Sequence, residues 1–120
     1  MRVIPSNIHG IIDYVVGIAL IVVPYLGGFA DGSAAQWVPQ IIGVMIIGQS
    51  LITDYELSIA KIIPLPTHLM LDMGTGALLA VSPWLFGFSE KVWMPHLIVG
   101  LSEIVIAAIS ENRARSRARA

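Results

Sequence analysis

Residues 67–88 read THLMLDMGTGALLAVSPWLFGF, and residues 8–29 read IHGIIDYVVGIALIVVPYLGGF. Laid over each other at an offset of 59, His9 falls on His68, Asp13 on Asp72 and Gly17 on Gly76. In the same register Pro24 falls on Pro83, Gly28 on Gly87 and Phe29 on Phe88. A loop three residues shorter follows in the second copy, and at the new offset of 56 Trp37 falls on Trp93 and Pro39 on Pro95. So many uncommon residue types in register mark two tandem copies of one unit.

Each unit holds two apolar runs of roughly the length, about 20 residues, that a membrane-spanning helix needs. They lie at about 7–24 and 37–53 in the first unit, and at about 67–82 and 93–110 in the second. Composition agrees. The 120 residues are 56% hydrophobic and 12% charged, where a soluble domain carries about 25% charge. The sequence thus predicts an all-α membrane protein of four transmembrane helices, a single domain over residues 1–120. Repeat 1 covers about 5–60, repeat 2 about 64–112, and a basic tail 113–120. A cleaved signal peptide is the rival reading of the first run. Its length, His9 and Asp13, and its recurrence later in the chain speak against that.

An even number of crossings per unit returns the second copy to the membrane in the same direction as the first. The expected symmetry is therefore a pseudo-two-fold axis along the membrane normal. Four crossings place Arg2, Lys61, Arg113, Arg115, Arg117 and Arg119 on one side and Lys91 on the other. Lys/Arg excess marks the cytoplasmic face, so both termini are expected to be cytoplasmic, in a bacterial inner membrane. The expected partners are the lipid bilayer, further copies of the chain, and anionic head groups for the Arg-rich tail. A net charge of −1 excludes nucleic acid as an expected partner. Without cysteine there is no disulfide, thiolate site or redox thiol.

Ser82-Pro83-Trp84, followed by Gly87-Phe88, resembles the signature of the SPW repeat family of bacterial membrane proteins. The His68-x-x-x-Asp72 opening fits the same resemblance, which spans nearly the whole chain. The first copy is degenerate, with Val23-Pro24-Tyr25 and then Gly28-Phe29. The resemblance implies a membrane bundle and brings no activity with it. Physically, the motif reads as a proline ending the helix, an aromatic ring at the interface, and a glycine turning the chain back.

The informative residues are the ionisable ones inside apolar runs, which must face the bundle interior and find partners. His9 and Asp13, like His68 and Asp72, stand four apart and so share one helix face. Glycines at 10, 17 and 76 let a neighbouring helix approach that face. Helical rise puts Asp13, Asp72 and Glu103 at similar depth, so one layer is expected to gather His9, Asp13, His68, Asp72, Glu103 and Gln49. At the offset of 56, Glu103 aligns with Ile47, and His96 aligns with Gln40 near the other end.

Two readings of the layer stand side by side. In one, the His–Asp pairs only lock helix packing. In the other, the pairs meet across the axis and hold one transition metal ion, zinc, iron or manganese, or form a proton or cation relay. A bis-histidine haem fits poorly beside two aspartates. The leading expectation is a structural, accessory or ion-binding membrane component without catalytic residues. The alternatives are a metal-dependent membrane enzyme or redox component, and a subunit of an oligomeric small-solute or cation transporter.

Overall fold

The computed structural model describes residues 2–112, and the Arg-rich tail with its expected head-group contacts lies outside the described residues. Four helices follow in order: α1 (Ser6–Leu26), α2 (Ala34–Leu51), α3 (Leu65–Leu85) and α4 (Met94–Ile109). No strand forms among the described residues; two isolated parallel bridges are the only β-like pairings there. α1 packs along α2, α3 packs along α4, and a smaller contact between α2 and α3 joins the two hairpins. The observed helices α1 and α3 are longer than the apolar runs suggested, while α4 is slightly shorter.

Glycine sets the distance within each hairpin. A Cβ added at Gly43 would lie 2.6 Å from the Gly17 carbonyl oxygen, and one at Gly100 would lie 2.5 Å from both the Gly76 oxygen and the Ala80 nitrogen. The two backbones of each hairpin therefore touch, a close approach that only small residues permit between helices.

The prolines do not end their helices as the sequence suggested. α1 continues to Leu26 beyond Pro24, and α3 to Leu85 beyond Pro83. A proline ring disturbs the preceding turn and withholds one N–H from the carbonyl four residues back, but leaves the following residues free to stay helical. Two of the freed carbonyls find other donors. The Ser82 hydroxyl donates to the Leu79 carbonyl at 2.7 Å, four residues before Pro83. Pro39 lies within α2 and withholds its bond from Ala35, whose carbonyl lies 3.0 Å from His96 Nε2. The real stops are Gly28 and Gly87, at φ +73° and +75°. After them Phe29 N–H donates to the Pro24 carbonyl and Phe88 N–H to the Pro83 carbonyl, closing a left-handed helix cap. Phe29 and Phe88 then turn inward as buried residues.

At the opposite end the two halves exchange edges. Ile4 pairs with Ser110, and Ile63 pairs with Thr53. Ile4 N–H donates to the Ile109 carbonyl and Ile63 N–H to the Ile52 carbonyl, while Glu111 N–H donates to Ile4 and Asp54 N–H to Ile63. The start of each half is thus tied to the end of the other.

By length and composition, α1 is the one described helix apolar enough to cross a membrane. α4 is apolar but has 16 residues, and α2 and α3 carry glutamines, a histidine and an aspartate in their apolar runs. Lys91 forms an exposed ion pair with Asp31, linking the α3–α4 loop to the α1–α2 loop. The Lys91 ammonium, helped by the Ser33 hydroxyl and N–H, holds the Asp31 carboxyl well below the usual carboxylate range.

Candidate His–Asp centre

His9 and Asp13 lie one turn apart on the buried face of α1, in line with Gly10, Gly17 and Leu20. His68 and Asp72 hold the same places on α3, in line with Leu69, Gly76 and Leu79. All four side chains are at most 1% exposed. The sequence left open whether the pairs face each other. In the structure they do, and they cross over. His9 Nε2 lies 2.9 Å from Asp72 Oδ2, and His68 Nε2 lies 2.8 Å from Asp13 Oδ2. The contacts within each helix, His9 to Asp13 and His68 to Asp72, are both 3.1 Å. Imidazole nitrogen and carboxylate oxygen therefore alternate around a closed ring of four atoms. The two imidazoles meet edge to face, with centroids 5.6 Å apart, which leaves no slot for a porphyrin between them.

The outward nitrogens are fixed as well. His9 Nδ1 lies 2.7 Å from Ser110 Oγ, and His68 Nδ1 lies 2.6 Å from Thr53 Oγ1. Both hydroxyls already donate to backbone, Ser110 to the Ile106 carbonyl and Thr53 to the Gln49 carbonyl. The last carbonyls of a helix lack donors of their own, which explains that choice. A hydroxyl has one hydrogen to give, so each Nδ1 must be the donor to it. That commits Nδ1–H outward on both rings and turns Nε2 toward the carboxylates.

Two further side chains complete the shell. Gln49 Nε2 donates to Asp72 Oδ1 at 2.7 Å, and the Tyr55 hydroxyl donates to Asp13 Oδ2 at 3.1 Å. Tyr55 sits fully buried in the connection between α2 and α3, its ring 5.4 Å from that of His68. Burial, with the Asp13 charge beside it, pushes the Tyr55 hydroxyl above the ordinary tyrosine range. Asp13 Oδ1 is buried and has no hydrogen-bond partner among the described residues.

Of the expected layer, Gln49 joins the four, and Glu103 does not enter the converging set. Glu103 is buried on α4 against Gly76, within electrostatic reach of both pairs. His96 lies at the other end, against Phe29 and Phe88, with its Nδ1 unpartnered among the described residues. Sequence reasoning missed Ser110 and Tyr55. It also slipped by one residue in the second helix of each unit. Corresponding contacts recur there at an offset of 57, not 56: Gly43 with Gly100, Thr53 with Ser110, and Ile47 with Ile104, which sets Ile46 rather than Ile47 opposite Glu103. At that offset the hydroxyls of Thr53 and Ser110 stand out as a pair. Tyr55 has no counterpart in the second half and gave no repeat signal.

Fold and site together define an all-α, four-helix protein whose two hairpins meet at a buried crossover of His–Asp pairs. The model of the SPW repeat domain matches residues 7–110, and the chain belongs to that family. Membership suggests a small membrane-associated protein, in keeping with the apolar α1. No curated protein and no solved structure matches the chain.

Proposed function

We propose that this chain is a small integral membrane protein of four spanning helices, an accessory component rather than an enzyme, whose halves are clasped by the His–Asp centre. The observation that carries the reading is inverted polarity. Ile11, Val15 and Ile18 on α1, Ile41, Val44 and Met45 on α2, and Ile98, Leu101 and Val105 on α4 point outward, while both aspartates are fully buried. A water-soluble bundle puts its apolar stripe inside and its charges outside. In lipid the arrangement reverses, and an ionisable group must find a partner within the bundle. α4, at about 1.5 Å per residue, falls short of a hydrocarbon core of about 30 Å. Local thinning of the bilayer and the ring of Trp93 at its start accommodate such a mismatch.

The recurring contacts support a pseudo-two-fold axis along the membrane normal. The Lys/Arg bias places the end that carries Arg2 and Lys61 in the cytoplasm of a bacterial cell, with both termini on that side. Gly48 and Gly74 face outward with nothing near a would-be Cβ, which leaves places of close approach for a second copy. The touching backbones at Gly17/Gly43 and Gly76/Gly100 argue against a solute path through a single chain.

The cysteine-free sequence makes the test direct. Single-cysteine variants Ser58→Cys and Ser89→Cys, expressed in bacterial cells, are exposed to an impermeant thiol reagent in sealed spheroplasts and in inverted vesicles, and the membranes are washed with carbonate afterwards. Retention in the membrane, with Ser58→Cys labelled only from the cytoplasmic side and Ser89→Cys only from the outside, is the expected result. Extraction by carbonate, or labelling of both from one side, contradicts the reading.

A further inference from the structure

We propose that the four-atom ring of His9 Nε2, Asp13 Oδ2, His68 Nε2 and Asp72 Oδ2 is a binding site for one divalent first-row transition metal ion. The inference rests on the reading of the centre as a buried clasp within a membrane bundle and gives that clasp its ligand. Three features of the geometry carry it.

The first is convergence. The four atoms alternate N, O, N, O, with neighbours 2.8–3.1 Å apart and all within 4.8 Å of one another. Metal–nitrogen and metal–oxygen bonds of about 2.0–2.2 Å set at right angles put neighbouring ligands about 3 Å apart. The ring already has that edge length. The tetrahedral set that zinc prefers needs those edges a few tenths of an ångström longer and the ring folded so that its N···N and O···O diagonals shorten to match.

The second is ligand polarity. Each Nδ1–H is committed to a hydroxyl that itself donates to a helix-end carbonyl. A metal-bound imidazole has this outer shell, in which an N–H donated outward fixes the tautomer and presents the other nitrogen's lone pair to the ion. The arrangement occurs twice, once from each half. Without a metal, each Nε2 must instead hold a proton against two carboxylates. Two protons and one divalent cation carry the same charge, so the centre is neutral in either state. Neutrality is what a site inside lipid requires.

The third is an unused donor. Asp13 Oδ1 is buried and has no partner among the described residues, whereas its counterpart Asp72 Oδ1 is held by Gln49. Asp13 Oδ1 can thus join Oδ2 in two-oxygen coordination without giving up a hydrogen bond of its own, at the expense only of the Tyr55 hydroxyl's bond to Oδ2, while Asp72, held by Gln49, stays a one-oxygen ligand. Imidazole with carboxylate suits zinc, iron, manganese and their neighbours in the first row.

The test uses the full-length protein in lipid nanodiscs, stripped with a chelator, reloaded with Zn²⁺ alone, desalted, and analysed for bound zinc. Retention of one zinc per chain by the native protein is expected. The double variant Asp13→Asn/Asp72→Asn should retain none. A second variant, His9→Gln/His68→Gln, should also retain none, and helical circular dichroism shows which variants stay folded. Co²⁺ in place of zinc should give visible bands in the native protein that vanish in a folded variant. A native protein that retains no zinc overturns the proposal, as does equal retention by a folded variant, which would mean adventitious metal. Failure here, with the thiol-labelling pattern intact, leaves the membrane reading standing and removes only the metal. Carbonate extraction removes the membrane reading itself.

Discussion

Asp13 and Asp72 occupy matching places and differ in their hydrogen bonds. Gln49 satisfies Asp72 Oδ1, but the residue in the corresponding place for Asp13 is Ile106, and Asp13 Oδ1 has no partner among the described residues. Tyr55 compensates in part from the other side, at Oδ2. Gln49→Leu should therefore lower stability by about 1–3 kcal/mol, the usual cost of orphaning a buried acceptor. Ile106→Gln should raise it by about 1 kcal/mol if its amide reaches Asp13. Thermal unfolding of the two variants in one lipid composition checks both signs. Thr53 and Ser110 act through the imidazoles they orient. Thr53→Val, close to the same shape, should cost about 1–3 kcal/mol because it strands His68 Nδ1–H in a buried place. The ionisable residues could be read from the sequence because charge inside an apolar run has few explanations. Their hydroxyl and tyrosine partners could not, since serine, threonine and tyrosine are unremarkable near a helix end.

At the level of the helix, glycine does two separate jobs, and substitution tells them apart. Gly100→Ala puts a Cβ 2.5 Å from backbone atoms of α3 that cannot move aside alone, so α3 and α4 must separate. Loss of packing on that scale is expected to cost about 2–5 kcal/mol. Gly48→Ala and Gly74→Ala meet nothing within 4 Å and should leave stability unchanged or raise it by about 0.5–1 kcal/mol, the helix preference for alanine over glycine. If self-association uses those outward glycines, the same two variants weaken it, which mass measurement in nanodiscs would show. The helix ends taught the clearest lesson about proline. Proline was expected to stop α1 and α3, yet the chain stays helical past it and stops at the glycine with positive φ. The Ser82-Pro83 pair gains a physical meaning from this: the serine hydroxyl replaces the N–H that the proline lacks. The first copy has Val23 there and lacks this hydroxyl; Gln40 from α2 donates to the Ile21 carbonyl, one residue along from the carbonyl that Pro24 frees.

For the molecule as a whole, the repeat in the sequence led to the expectation of two hairpins and left open whether their His–Asp pairs would meet. It could not foretell how they do. The offset between copies changes along the chain, and a slip of one residue hid the pairing of Thr53 with Ser110. Glu103, which shares the depth of the centre, was expected among its ligands and sits instead one helix away, against Gly76. Depth along a helix can be estimated from rise per residue, whereas the direction a side chain faces depends on the helix's rotation, which depth does not fix. The resulting molecule is closed on itself, since each half begins where the other ends. The two His–Asp contacts that cross between α1 and α3 are the shortest in the ring, and they lie where the halves meet. The most direct test is a double-mutant cycle on His9→Asn and Asp72→Asn, residues of opposite halves, measured by reversible unfolding in one lipid composition. Paired across the halves, the two should couple by about 1–3 kcal/mol, with His96→Asn and Asp72→Asn additive as the control. Additivity of the His9 and Asp72 substitutions would contradict the crossover and with it the account of how the hairpins are held together.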